Sequence, residues 1–149
     1  MIRLDEVSLK YDDKVILKEI NIEIKEPGIY VLGGESGSGK SSLLNILSLM
    51  ETRYEGEYYL DEENVSSFND EERTKARFEL ITYLFQIPKL IESETIKVNI
   101  EIALGRKISK KEELSYLKKI HMNPSKKRIS SLSGGEKQRV NILSVQSAA

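Results

Sequence analysis

In the first 24 residues apolar positions alternate in part with charged ones: Ile2, Leu4, Val7 and Leu9, then Val15, Ile16, Ile20, Ile22 and Ile24. This pattern predicts two half-buried strands, 2–10 and 15–24, joined as a hairpin at Tyr11-Asp12-Asp13. Pro27-Gly28 breaks the alternation, and Ile29-Tyr30-Val31-Leu32 is then a short continuous apolar run of the kind a central parallel strand carries. From Lys40 the period changes, with Leu43, Leu44, Ile46, Leu47 and Met50 at helical spacing, so strand, Gly-rich turn and helix follow in order as half of a βαβ unit. Glu57-Tyr58-Tyr59-Leu60 predicts another strand, and Asn69-Asp70-Glu71-Glu72 supplies the cap and acidic first turn of a helix running to about Phe78. Leu80-Ile81-Thr82-Tyr83-Leu84-Phe85 reads as a second apolar strand, closed by Gln86 and Pro88. Helices are expected over 95–104 and 109–120, the latter opened by a capping box between Ser109 and Glu112. The fold class is α/β, with a helical segment inserted late.

Composition narrows the functional classes. At 149 residues and 39% hydrophobic, the chain can bury one modest core and is expected to form a single domain, complete or partial. Lys+Arg 23 against Asp+Glu 24 leaves a net charge of -1, which argues against a protein built to neutralise nucleic-acid phosphates; no nucleic-acid partner is expected. With no cysteine there is no disulfide framework, thiolate metal site or cysteine nucleophile, a composition that suits a reducing compartment. The sole histidine, His121, excludes a multi-histidine metal cluster and reads as a surface residue. No apolar run approaches the roughly 20 residues that span a bilayer, and the charged start lacks a signal-peptide stretch, so a cytoplasmic location is expected. The short cluster Lys126-Lys127-Arg128 reads as a solvated loop.

Candidate chemistry begins at Gly34-Glu35-Ser36-Gly37-Ser38-Gly39-Lys40-Ser41, a match to G-x-x-x-x-G-K-[ST] lying after an apolar strand and before a helix. Glycines let the backbone take positive φ and turn its N–H groups inward, so that they and the helix N-terminus cradle phosphate oxygens. In such a loop Lys40 reaches the β- and γ-phosphates and the Ser41 hydroxyl ligates Mg²⁺. The guanine-reading N-K-x-D or T-K-x-D element has no match, since Thr74-Lys75-Ala76-Arg77 lacks the Asp, which makes GTP the less favoured nucleotide.

A second motif stands at Leu132-Ser133-Gly134-Gly135-Glu136-Lys137-Gln138-Arg139-Val140, a serine and two glycines opening a polar helix. Ser133 as N-cap with Glu136 completing a capping box accounts for it structurally. A cap whose N–H groups face outward is also a phosphate site, so both readings hold together.

The P-loop and this L-S-G-G-E string, in that order, make the sequence resemble the ATP-binding cassette (ABC) family across essentially the whole of residues 1–140. The resemblance implies a P-loop NTPase fold of ABC type, with an antiparallel β region at the N-terminus and a helical subdomain before the signature. It divides the chain into a core of about 1–86 with the P-loop, a helical subdomain of about 87–131 and a signature helix over 132–149. It also implies ATP and Mg²⁺ as ligands. Tyr11 matches the family's adenine-stacking aromatic, Gln86 the glutamine of its Q-loop. Nucleotide contacts are then implied for Tyr11, for Gly34 to Ser41 with Ser42, and for Ser133, Gly134, Gly135, Glu136 and Gln138. Lys40 and Gln86 are implied in catalysis, and Ser41 and Gln86 in holding the metal. Family members pair head to tail, so that the signature of one cassette serves the γ-phosphate on the P-loop of the other. The cycle drives an integral-membrane permease, which would hold the protein peripherally at the inner face of the membrane. The stretch Asn69 to Gln86 looks most like the export-type subfamily that handles lipoproteins, macrolides or peptides.

The family's Walker B strand ending Asp-Glu, its D-loop and its switch histidine follow the signature, whereas no Asp or Glu follows Glu136 in this sequence. The expectation is a partial cassette, lacking the C-terminal catalytic half, that hydrolyses ATP very weakly alone. A naturally short ATP-binding or regulatory chain and a non-transport ABC ATPase are the alternatives. Tyr58-Tyr59-Leu60-Asp61-Glu62 imitates an apolar run ending Asp-Glu, but its place after the P-loop helix matches the family's antiparallel region.

Overall fold

A computed structural model describes residues 1–123 and 128–148, the side chains of 144–148 excepted. The chain forms two compact units, Met1–Ile81 and Thr82–Ala149.

The first unit is built on the predicted hairpin. Strands β1 (Ile2–Tyr11) and β2 (Lys14–Ile24) pair antiparallel across a turn at Asp12-Asp13. Helix α1 (Lys40–Leu47), β3 (Tyr54–Leu60), the short β4 (Glu63–Asn64), a 3-10 turn at Val65–Ser67 and helix α2 (Asp70–Leu80) follow. The four strands form one sheet in the order β2-β1-β3-β4, every neighbour antiparallel.

In a regular strand Leu4 and Val7 would point to opposite faces, yet both are buried. The register shifts between them on the β2 side, and Glu6 takes φ 50, the mark of a bulge that re-aims Val7 toward the core. The displaced Glu6 N–H is satisfied by the Asn21 side chain at 3.0 Å. Across the other edge, Gly56 has φ +93, and a Cβ there would sit 2.7 Å from both the Asp5 and Glu6 carbonyl oxygens, so only glycine admits the bulge. Leu4, Val7, Leu9 and Leu17 of the sheet close over Leu43 and Ile46 of α1 and the fully buried Tyr58. Burial pushes the Tyr58 phenol well above its ordinary pKa, and its hydroxyl donates to the Leu47 carbonyl at 3.0 Å.

Among its described residues the second unit holds three α-helices, α3 (Ile96–Leu104), α4 (Lys110–Lys119) and α5 (Gly134–Ala148), with a 3-10 turn at Ile129–Ser131. Ile96 and Ile100 of α3, Leu117 of α4, and Val140 and Leu143 of α5 share a core with Ile108, Ile120, Ile129 and Leu132. The caps expected from sequence are in place. Asn69 accepts from Glu71 and Glu72 N–H groups at the start of α2, and Ser109 and Glu112 form a reciprocal box at α4. Thr95 caps α3, and Gly105 in the left-handed region ends it.

Two predicted strands are corrected. Neither 29–32 nor 80–85 is a strand: Leu80 ends α2, and 81–85 and 29–32 carry no ladder. Apolar composition gives a segment the propensity to extend, but a strand exists only where a neighbour takes its N–H and C=O groups. Among the described residues no strand ladder includes either run, and Ile29 and Val31 stand 97% and 88% exposed. The described sheet is therefore antiparallel throughout. The Asp61-Glu62 pair is a turn, both residues at positive φ, with Asp61 bound to the Met1 ammonium. His121 is exposed, whereas Lys126 and Lys127 lie outside the described residues.

Candidate functional site

Helix α1 begins at Lys40, and its N-cap is Gly39 at φ 88, ψ 2, with no side-chain cap. A Cβ on Gly39 would meet the Ile16 carbonyl oxygen at 2.9 Å and Leu17 Cδ2 at 2.8 Å, so the missing side chain lets the loop sit directly against β2. Gly34 at φ +144 and Gly37 at φ +82 supply the loop's other left-handed turns. A single backbone bond, Ser38 N–H to the Glu35 carbonyl at 3.3 Å, closes the loop internally. The N–H groups of Lys40, Ser41 and Ser42 belong to the first helical turn, which has no intrahelical acceptors, and no side chain caps them. Donors aligned with the positive end of a helix are what an anion needs.

Lys40 folds back over this turn. Its Nζ donates to the Gly34 carbonyl at 2.9 Å, the Glu35 carbonyl at 2.5 Å and Ser38 Oγ at 3.4 Å. The ammonium is thereby held by neutral oxygens at the loop mouth, with no carboxylate to neutralise it among the described ion pairs. Residues 34–38 are all exposed, as is Ser41, so loop and hydroxyl face solvent. A phosphate chain fits this cradle, and Mg²⁺ fits the Ser41 hydroxyl, since that ion takes few protein oxygens and completes its shell with phosphate and water.

Tyr11 ends β1 in the same unit and is half-buried. Its hydroxyl donates to Glu51 Oε2 at 2.6 Å, and the Arg53 guanidinium lies 5.1 Å from its ring centroid. The Glu51 bond, then burial, raise the phenol's pKa, while Arg53 and the nearby Ser42 hydroxyl act in the opposite direction. Glu51 is nearly buried and accepts from the backbone N–H groups of Thr52 and Arg53, both at 2.9 Å. Bonding to the Arg53 side chain, foremost, holds its carboxyl at about 2. Glu51 and Arg53 were not singled out in the sequence. They read as a polar loop after α1, and no local spacing signals a bond to a tyrosine forty residues away.

In the second unit, Ser133 and Glu136 form the expected box at α5. The Ser133 N–H donates to Glu136 Oε2 at 2.8 Å and the Glu136 N–H to Ser133 Oγ at 3.3 Å. Gly134 and Gly135 are exposed, Gln138 is half-buried, and Lys137 pairs with Glu92 at 2.7 Å. Gln86 lies exposed in a bend of this unit, while Lys40 and Ser41 belong to the first.

Residues 17–147 match the ABC transporter family. The chain belongs to that family. Among ABC relatives, the macrolide export ATP-binding/permease protein MacB of Campylobacter jejuni is 33% identical over 150 residues, 95% of this chain but 23% of MacB. The lipoprotein-releasing system ATP-binding protein LolD of Francisella tularensis is 35% identical over 147 residues, 91% of this chain and 64% of LolD. Among solved structures, the ATP-binding cassette MJ0796, as a dimer in a post-hydrolysis state with ADP and Pi, superposes with a TM-score of 0.83 at 32% identity. That comparison covers 99% of this chain and 70% of the MJ0796 chain. The chain thus has the fold of an ABC ATPase cassette over its own length, and spans less than two thirds of MacB and LolD.

Proposed function

We propose that this chain is the nucleotide-binding part of an ABC transporter ATPase, taking up ATP with Mg²⁺ on Gly34 to Ser42. The observation that carries the reading is the loop itself: a left-handed Gly39 N-cap against β2, uncapped first-turn N–H groups, and Lys40 held over them by carbonyls. These groups supply positive potential and oriented donors where a triphosphate would lie. Lys40 then exchanges its loop partners for phosphate oxygens and Ser41 ligates the metal, with Tyr11 as base platform. For Gln86 the family resemblance implies metal binding and catalysis.

The signature residues Ser133, Gly134, Gly135, Glu136 and Gln138 serve the nucleotide of a second cassette in a head-to-tail dimer. A separate permease receives the work of ATP binding and hydrolysis, and the direction is export; the name of MacB, a macrolide export ATP-binding/permease protein, supports export and coupling to a permease. The cassette then works at the inner face of the membrane, held there by its permease; no described helix is long and apolar enough to cross a membrane. The 149-residue chain by itself turns ATP over very weakly.

The test is calorimetric titration of the chain with ATP and Mg²⁺. Binding is expected, with affinity falling about tenfold or more in Lys40→Ala as charge-assisted bonds to phosphate are lost. Equal affinity in the two proteins would overturn the reading.

A further inference from the structure

The Arg53 guanidinium is fixed in two ways that pull in different directions. Its Nε and Nη2 reach the two oxygens of Glu51 at 3.2 and 3.1 Å, a forked grip on a carboxylate whose side chain is 9% exposed. Yet the Arg53 side chain itself is 73% exposed and lies over the Tyr11 ring. A pair whose cation stands in water contributes little to stability by itself. This one anchors the carboxylate inside and holds a flat cation outside, against an aromatic face. Glu51 also accepts the Tyr11 hydroxyl, so one carboxylate sets the orientation of both the phenol and the guanidinium.

From this geometry we infer that Arg53 is a positioning residue for the nucleobase, its guanidinium and the Tyr11 ring forming one cationic–aromatic surface clamped by Glu51. A purine offers a π face that stacks on a guanidinium plane as readily as on a phenol. Because Glu51 holds the fork before any ligand arrives, little rotamer entropy remains to be lost on stacking. The Ser42 hydroxyl beside Tyr11 belongs to the first turn of α1, which places this surface next to the phosphate cradle. The inference rests on the proposed ATP site and adds to it a second residue that reads the base.

The experiment titrates the chain, with Mg²⁺ present, against ATP and against inorganic tripolyphosphate, which has the phosphates without the base. In Arg53→Ala, affinity for ATP is expected to fall about two- to fivefold while that for tripolyphosphate is unchanged. Arg53→Gln, which keeps a planar group able to bond Glu51, guards against a folding defect and is expected to show the same selective loss. Equal loss of both ligands, no change, or tighter ATP binding would overturn the inference while leaving the phosphate site standing. A parent chain that binds neither ligand would overturn the ATP site, and the inference with it.

Discussion

Tyr11 and Glu51, forty residues apart, are joined by a 2.6 Å hydrogen bond that ties the end of the first strand to the loop after the P-loop helix. Arg53 and Tyr11 hold the Glu51 carboxyl at about 2, against an ordinary 4.5. A carboxyl depressed on folding stabilises the native state above its unfolded pKa, and that contribution drains as pH falls from about 4.5 toward about 2. Melting temperatures measured across that window are expected to fall more steeply for the parent than for Glu51→Gln, which has no proton to take up there. Parallel curves would show that the carboxylate contributes nothing through its charge. At neutral pH the variant is expected to be less stable by about 1.5–3 kcal/mol, the cost of weakening bonds to a charged acceptor.

Gly39 and Gly33 form a matched pair of tests. Gly39→Ala forces a Cβ into the left-handed region and onto the Ile16 carbonyl, whereas a Cβ on Gly33 meets nothing within 4 Å. The first substitution is expected to cost about 1–2 kcal/mol or more and to impair ATP binding. The second is expected to stay within about 0.5 kcal/mol. Thermal melts and ATP titration of both variants check this, and similar values for the two would contradict the close packing of the loop on β2.

Ser133 does its capping work without nucleotide. Ser133→Ala is expected to lower stability by about 0.5–2 kcal/mol in nucleotide-free protein, and Ser133→Asp to restore much of it. Far-ultraviolet circular dichroism during melting measures both. An alanine variant as stable as the parent would leave the serine with no role in holding α5.

Buried Asn99 is the second unit's counterpart of Glu51. Its side chain accepts the Ile91 N–H at 2.7 Å and donates to the Ile91 and Thr95 carbonyls at 3.1 and 3.0 Å. Asn99→Leu strands the Ile91 N–H, while the Ile91 and Thr95 carbonyls keep the backbone N–H groups of Glu94 and Asn99, and it is expected to cost about 1–3 kcal/mol, read from denaturant midpoints.

These residues mark how far the sequence was legible. The hairpin, the helices and the capping boxes at Asn69, Ser109 and Ser133 were readable because each depends on residues within a few positions. The P-loop and signature were readable for the same reason. Glu51, Arg53 and Asn99 were not, since a polar letter in a loop or helix does not show that its partners are buried with it. The runs 29–32 and 80–85 misled in the opposite way: their letters suit a strand, but pairing is a property of two segments, and one segment's composition cannot supply the other.

The run from Ile29 to Leu32 has a practical consequence for the chain in solution. Four exposed apolar residues stand in water together on a stretch of main chain with no ladder partner among the described residues, and the net charge of the sequence is only -1. Near-zero charge provides little repulsion between copies, so exposed apolar stretches such as this one weigh on colloidal behaviour. An extended peptide that comes alongside gains hydrogen bonds and dehydrates apolar surface at once, which makes 29–32 an adhesive stretch and a natural place for a solubilising charge.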